Sequence, residues 1–351
     1  GMVRHPTPNY LRRHSLSWKQ NFKIWGVDDM AEKIATRVAY GQALAELAEK
    51  YPRLVVLDAD LSSATMTKYM ASAYPERFFD CGIAECNMTS IAAGMSTCGL
   101  KPFTNTFAIF ASGRAYEQVR NSIGYPHLNV TVVGSHGGIS VGEDGATHQC
   151  TEDFALMRQI PGMLVCCPCD GHEMKLAVEA LINYEGPAYL RLARPATEVI
   201  TDEIEGYNFE LGKGITLRDG TDVSIIAVGI MVPIAMEAAD ILAAEGISAR
   251  VIDMHTIKPL DEELVLKAAR ETGAIVTSEE HSVLGGLGGA VAELVSEEHP
   301  VPVVRHGVND EFGRSGTAAA VLKHYGLCAE ALADKARKAI ALRKIGLNQN
   351  K

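Results

Sequence analysis

Glu85 stands in the run Asp80-Cys81-Gly82-Ile83-Ala84-Glu85-Cys86-Asn87-Met88, where a short strand-like segment ends at a glycine and an apolar helix begins. That helix, through Thr89, Ile91, Ala92, Ala93 and Met95, carries no charge before Lys101, so it reads as buried with one carboxylate at its mouth. A carboxylate there can complement the positive end of the helix, which contributes ~0.3–1 kcal/mol. Sheltered from water, it can instead keep or share a proton with a ligand nitrogen. Three further groups bear on the choice. Phe103, Phe107 and Phe110 follow closely, and Phe107 falls where a strand over 102–107 should end. Ligands of open parallel sheets lie beyond such ends, where a ring can stack on a flat heterocycle. Next, His136-Gly137-Gly138 and Gly142-Glu143-Asp144-Gly145-Ala146-Thr147-His148 place two histidines and two acids on one glycine-rich loop. Histidine titrates near neutrality and can move protons. Last come Arg37 on an otherwise apolar helix face, and Arg191 and Arg194 at the end of a strand. Arginine forks converging from separate segments suit phosphate. Taken singly, each has a plainer use: core packing for a phenylalanine, a surface ion pair for an arginine.

The elements that must position these groups follow a regular alternation. Helical apolar spacing over 31–50 (Ile34, Val38, Leu44, Leu47) precedes a β-branched run over 54–57. A helix over 65–73, a short strand over 77–80, the Glu85 helix, the strand 102–107 and a helix over 113–123 come next. A strand over 129–134 leads into the glycine-rich loop 135–148, followed by a helix near 151–158, a strand over 163–166, a helix over 172–183 and a strand over 188–192. Short strands alternating with helices imply parallel βαβ units. The rhythm lapses from Pro195 to about Gly220, then resumes to the end. The expected fold is α/β with two domains, each a mostly parallel sheet covered by helices: an arm over 1–30, a first domain over 31–200, a linker over 201–220 and a second domain over 221–351. Gly285-Gly286-Leu287-Gly288-Gly289 lacks the G-x-G-x-x-G order of a nucleotide cradle and reads as close helix packing.

Bulk properties exclude several classes. A formal charge of −10 over 351 residues argues against a nucleic-acid partner. No run reaches the ~18–20 apolar residues of a membrane span. The eight cysteines are scattered without a disulfide-like framework, which suits a reducing, cytoplasmic compartment. Cys166-Cys167-Pro168-Cys169 contains a C-x-x-C spacing, but no second pair completes a zinc site, and no metal is expected on this chain. Gly1-Met2 reads as a remnant of tag removal. Residues 3–27, with Lys and Arg but no acid, read as a surface arm docking on a partner.

Together these segments resemble the C-terminal half of transketolase, in the form made as a separate subunit. The residues that carry the resemblance are Ile34-Ala35-Thr36-Arg37, Asp58-Ala59-Asp60-Leu61, Gly82-Ile83-Ala84-Glu85, Asn87-Met88, Thr106-Phe107, Gly142-Glu143-Asp144-Gly145, Thr147-His148-Gln149 and Pro168-Cys169-Asp170, with the 187–195 segment. The resemblance implies a pyrimidine-binding domain for thiamine diphosphate followed by the family's C-terminal domain. Glu85 would hydrogen-bond the aminopyrimidine ring nitrogen and favour the tautomer that activates the thiazolium carbon. Phe107 and Phe110 would pack on the pyrimidine, and Asp60 joins the cofactor-binding set. Asp144 and His148 would contact hydroxyls of the donor sugar, with His148 a proton carrier, while Arg37, His136 and Arg194 would hold the substrate's phosphate end. Arg191 has no such role in the family. No Gly-Asp-Gly motif is present, so the diphosphate and its Mg²⁺ would be held by a separate N-terminal transketolase subunit, in a two-fold heterotetramer acting on sugar phosphates of pentose phosphate metabolism. Two departures stand out: Cys86 where related subunits often have glutamine, and Ala64 where a phosphate-contacting serine is expected. The alternatives are the β subunit of a 2-oxo acid dehydrogenase E1 component, which would not need the phosphate-holding arginines, and a non-catalytic paralogue serving as a binding subunit. Deoxyxylulose-phosphate synthase is related but is usually one long chain.

Overall fold

The computed structural model describes residues 33–204 and 206–349. The arm expected over 1–30, including its basic stretch, lies outside the described residues. In chain order the strands are β1 (Lys33–Ala35), β2 (Leu54–Asp58), β3 (Phe78–Asp80), β4 (Lys101–Phe107), β5 (Thr131–Ser135), β6 (Leu164–Cys166) and β7 (Ala188–Arg191). They continue as β8 (Ala196–Glu198), β9 (Ile215–Arg218), β10 (Val223–Ala227), β11 (Ala249–Asp253), β12 (Thr256–Lys258), β13 (Ile275–Ser282) and β14 (Val303–Val308). A seven-stranded sheet has the order β12-β6-β7-β5-β4-β2-β3 and is parallel except where β12 meets β6. A five-stranded sheet has the order β14-β13-β10-β11-β9 and is parallel except where β9 meets β11. β1 and β8 form a small antiparallel ribbon. This is the expected α/β fold, two mostly parallel sheets covered by helices.

Parallel strands covered on both faces must be apolar along their length. β2, β4 and β5 are accordingly buried throughout. One face of the larger sheet packs Tyr40, Leu44, Phe103 and Leu190 under the Thr36–Leu47 and Gly171–Asn183 helices. The other face forms a core that runs without a break from Val55, Leu57 and Ile123 to Ile226, Ile252, Met254 and Leu287 of the second half. Helix starts are marked in the sequence by carboxylates. Asp170 accepts from the Glu173 N–H, and Asp261 accepts from the Leu264 N–H.

Three elements depart from the expectation. β12 belongs to the second half of the chain yet extends the edge of the first half's sheet. The helix expected over 113–123 is interrupted: Phe110–Arg114 and Val119–Gly124 are π-helical turns around a short α-helical piece, Tyr116–Gln118. The Glu85–Thr97 helix is not buried all round. Glu85, Met88, Thr89, Ala92 and Ala93 face the core, whereas Asn87, Ser90, Ile91 and Gly94 are exposed. Absence of charge on a helix does not by itself mean burial, because small and neutral residues tolerate water.

The halves also meet at an acidic seam. Ligand atoms of Cys169, Glu173 and Asp253 lie within 4.8 Å of one another, all three side chains fully buried. Glu173 is already engaged by the Cys169 N–H at 2.6 Å and by the Tyr207 hydroxyl. Burial, then the adjacent Glu173, push the Asp253 carboxyl well above the ordinary carboxylate range. A carboxyl whose folded-state pKa is raised holds a proton that the unfolded chain releases, so its contribution to stability falls as pH rises above ~4. Asp253→Asn, which keeps the shape without the ionisation, should raise the melting temperature relative to the parent, with a gap that widens between pH 5 and pH 8. A gap independent of pH would show that Asp253 does not hold this proton.

Candidate active site

Most of the chemistry-bearing residues singled out in the sequence stand at the carboxyl ends of the parallel strands. Asp60 follows β2, Glu85 follows β3, Phe107 ends β4, His136 follows β5, and Arg194 follows β7. Asp58 shapes the first of these turns. It accepts from the Leu61 N–H at 2.6 Å and from the hydroxyls of Thr65 and Thr67 at 2.7 and 2.8 Å. Asp60 itself is exposed, with a left-handed backbone (φ 61°).

Four rings gather beyond β4 and β5, whose ends are adjacent in register at Phe107 and Ser135. Phe107 and Phe110 lie nearly parallel, 6.1 Å between centroids. His136 packs 4.3 Å from Phe107, and His148 presents its edge to both phenylalanines at 6.1 and 5.6 Å. Glu85 is 2% exposed, and both of its carboxylate oxygens accept from Nη1 of Arg114, at 2.9 and 3.0 Å. The Arg114 guanidinium also lies 4.4 Å over the Phe110 ring. The carboxylate is thus sheltered and stands on the same guanidinium as a stacked aromatic pair.

A second group is basic. Arg37 donates from Nη1 to the Ala64 carbonyl at 2.9 Å and from Nε to the Arg194 carbonyl at 3.3 Å. Burial and then the Arg194 charge lower the Arg37 pKa. Where a phosphate-contacting serine was expected, the Ala64 backbone therefore serves to orient Arg37. Arg194 donates to the Val141 carbonyl and pairs with Glu143 at 2.9 Å, an exposed pair of the kind that contributes little to stability. Burial, then Arg37 and Arg194, push the buried His136 down to about 3, so it works as a neutral hydrogen-bonding ring at ordinary pH. His148 Nδ1 lies 3.0 Å from the Thr147 hydroxyl, and Asp144 is exposed on the same loop. The structure therefore brings Glu85, Phe107, Phe110, His136 and His148 together, and joins Arg37 to Arg194. Asp60 and Asp144 are exposed, the first in the turn after β2 and the second in the loop over 137–150.

Sequence reasoning passed over the residues that hold the loop. Arg191 is a buried strut, not a surface ion pair. It sits 3.2 Å from Asp153, donates to the Glu280 carbonyl at 2.8 Å and the Cys150 carbonyl at 3.3 Å, and lies 4.3 Å over Phe154. Glu280, on β13, accepts from the Ser140 N–H at 2.5 Å. Gly137 and Gly138 admit these side chains: a Cβ on the first would meet Arg191 Nε at 1.9 Å, and on the second Glu280 Cδ at 2.2 Å. The signal available in the sequence was Glu279-Glu280-His281 interrupting an apolar strand. Glu279 also settles the Gly285–Gly289 question, because its carboxylate accepts from the Leu287 and Gly288 N–H groups at 2.7 and 2.8 Å and occupies that helix start. A second-half loop backs the site as well. Gln149 donates to the Arg314 carbonyl at 2.8 Å, beside a cleft of roughly 580 Å³ lined by Ile109, Thr147 and Phe312 among others.

Fold and site together define a two-sheet α/β protein with a sheltered carboxylate and stacked rings at the carboxyl ends of its parallel strands. The family description "Transketolase, pyrimidine binding domain" matches residues 32–199, and "Transketolase, C-terminal domain" matches 212–332. The chain belongs to the transketolase family and carries these two of its domains. A Methanocaldococcus jannaschii protein named as a transketolase C-terminal section is 49% identical over 300 residues, covering 85% of this chain and 94% of the relative. A 6-deoxy-6-sulfo-D-fructose transketolase subunit of Clostridium sp. is 45% identical over 295 residues, covering 84% and 91%. A solved structure titled as a split gene transketolase, inactive β4 tetramer, is 52% identical, covers 88% of this chain and 99% of its own, and superposes with a TM-score of 0.82. Human transketolase is 39% identical over 310 residues, which are 49% of its length. Family membership implies thiamine diphosphate and transferase chemistry. Among the described residues no helix is long and apolar enough to cross a membrane.

The residues present fit the pyrimidine half of that coenzyme: a sheltered carboxylate for ring nitrogens and parallel phenyl faces for a flat ring. Among the described residues the one cluster of three metal-capable groups is the Cys169–Glu173–Asp253 seam, closed off in the core, which does not suit a diphosphate-bound ion. Removing the strut should show how firmly the loop is held. Arg191→Met leaves Asp153 buried without its cation, and we expect a loss of about 3–5 kcal/mol in urea unfolding, with faster proteolysis in the 137–150 loop. A loss under about 1 kcal/mol would mean that the pair is not what holds the loop.

Proposed function

We propose that this chain is the C-terminal subunit of a split transketolase, moving a two-carbon ketol unit between sugars with an anionic end, jointly with a separate N-terminal subunit that holds the coenzyme's diphosphate and Mg²⁺. The observation that carries the reading is the sheltered Glu85 beside the parallel Phe107 and Phe110 rings, with His136 and His148 against the same rings. Support for the division of labour is the coverage of 94% of a relative named as a transketolase C-terminal section and of 99% of a split gene transketolase chain. Self-association into a two-fold assembly is consistent with the β4 tetramer of the solved relative.

When bound, thiamine diphosphate supplies the carbon nucleophile that takes up and passes on the two-carbon unit. The chain's own residues do the rest. Glu85, out of water, shares a proton with the pyrimidine ring nitrogen. Phe107 and Phe110 orient that ring through their faces. His148, edge-on to both phenylalanines, carries a proton at a substrate hydroxyl, and Asp144 contacts a neighbouring hydroxyl. Asp60 borders the coenzyme from the loop after β2. Arg37 and Arg194, with His136 as a neutral hydrogen-bonding ring, hold the anionic end. Relatives named for 6-deoxy-6-sulfo-D-fructose and for apulose 4-phosphate both act on sugars of that kind. A half-exposed ion pair with Glu143 can give up Arg194 to such an anion at small cost.

Mixed with its N-terminal subunit, thiamine diphosphate and Mg²⁺, the chain should transfer ketol units from a phosphorylated ketose, and Glu85→Ala should lose at least about 10²-fold in turnover. Full activity in that variant would sink the assignment of Glu85. Lipoyl-dependent oxidation of pyruvate by the same pair would replace the transketolase reading with that of an E1 β subunit. Arg37→Leu should raise KM for phosphorylated donors well above its effect on kcat, since the contact is made equally in ground and transition states.

A further inference from the structure

We propose that Arg114 is an internal stand-in for the coenzyme's aminopyrimidine: in the free chain its guanidinium holds the Glu85 carboxylate and covers Phe110, and it must swing away for the coenzyme to bind. The inference rests on the reading of Glu85 given above. A guanidinium and an aminopyrimidine are alike in three respects. Both are flat, both present an N–H to the carboxylate (the pyrimidine once its ring nitrogen takes up the shared proton), and both are electron-poor enough to stack on an aromatic face. Arg114 makes both contacts at once. Its Nη1 bridges the two Glu85 oxygens at 2.9 and 3.0 Å, and its guanidinium carbon lies 4.4 Å over the Phe110 ring. The Phe110 face that the guanidinium covers cannot carry a second flat group, and Arg114 stands at both Glu85 oxygens where that group would have to sit.

Local backbone supports this placement. Phe110–Arg114 is a π turn closed by the Ala115 N–H on the Phe110 carbonyl at 3.0 Å. A π turn adds a residue to the helical repeat and is frequent at functional sites; here it brings Arg114 over the ring that precedes it by four positions. Cys86 directs its thiol to the Arg114 carbonyl at 3.4 Å. Two consecutive residues, Glu85 and Cys86, therefore engage one arginine. The exposure is asymmetric: the Glu85 side chain is 2% exposed and the Arg114 side chain 48%. The acid is fixed in the wall of the site, while the long arginine stem can return its charge to water. Until the coenzyme arrives, the arginine keeps a buried carboxylate paired, which matters because an unpaired buried charge is costly.

An occupied site lowers apparent affinity by the fraction of molecules in which it is open. The test is thiamine diphosphate with Mg²⁺, titrated by equilibrium dialysis into the full chain mixed with the N-terminal subunit. Arg114→Met, which keeps the stem and removes the guanidinium, should bind the coenzyme about fivefold more tightly than the parent. Arg114→Gln should move the same way and serves as the comparison if the Met variant melts too early to assay. Equal or weaker binding in these variants overturns the proposal, since Arg114 would then be indifferent to the coenzyme or would help to hold it. Glu85→Ala separates the two levels. If it binds the coenzyme as well as the parent, the site reading itself fails; if it loses affinity while Arg114→Met gains none, only the stand-in fails.

Discussion

The buried charge of Arg191 ties β7, the loop over 137–150 and β13 to one arrangement. Burying a guanidinium costs several kcal/mol unless every contact around it is made. Here it is met by Asp153, by two backbone carbonyls and by the face of Phe154. Asp153 in turn accepts from the Tyr189 hydroxyl at 2.8 Å, which ties β7 to the helix that follows the loop. Because any loosening would expose an unpaired charge to a low-dielectric core, the arrangement has one geometry. That geometry clamps residues 137–150 between the end of β5 and β13 of the other half. The loop that carries Asp144 and His148 is long and glycine-rich, and it owes its shape to this clamp more than to its own sequence.

The second half thus has a structural hand in the site even though it contributes few groups with obvious chemistry. Glu280 reaches across to the Ser140 N–H, and the loop near Arg314 backs Gln149. The core that runs from Val55 through Met254 makes the halves one packed body, and β12 adds a strand to the neighbouring sheet. By contrast, the groups that face the ligand space are held lightly. Arg194 rests on an exposed partner, and Arg114 is half in water. Rigid support behind and exchangeable pairs in front is what a site needs if it must both keep its shape and accept a charged ligand.

Much of this was legible in the residues. Short, mostly apolar strands separated by helical spacing admit little besides a parallel α/β fold, and Asp170 and Asp261 mark helix starts by a local rule. Glu85, Phe107, Phe110, His136 and His148 could be picked out because ligands of open parallel sheets lie beyond the strand ends where these residues fall, and the structure does bring these five together. Other readings failed for identifiable reasons. The neutral Glu85–Thr97 helix looked buried because small uncharged residues are ambiguous between core and surface. Arg191 alternates with leucines as any edge residue might, and nothing local reveals that Asp153 and Glu280 wait for it. The π turns at 110–114 and 119–124 leave no mark on a period of 3.6, so the partnership of Arg114 with Glu85 was invisible.

By itself the sequence determined the order and type of the elements and the identity of the reactive groups, since both follow from short-range periodicity and side-chain chemistry. Which charge answers which lay beyond it. Glu85 with Arg114, Arg37 with the Ala64 and Arg194 carbonyls, Arg191 with Asp153, and Asp253 beside Glu173 are pairings that bring together residues 27 to 157 positions apart. Only tertiary packing decides them, because the strength of a charge pair depends on the water excluded around it, and that exclusion exists only once both sheets are closed.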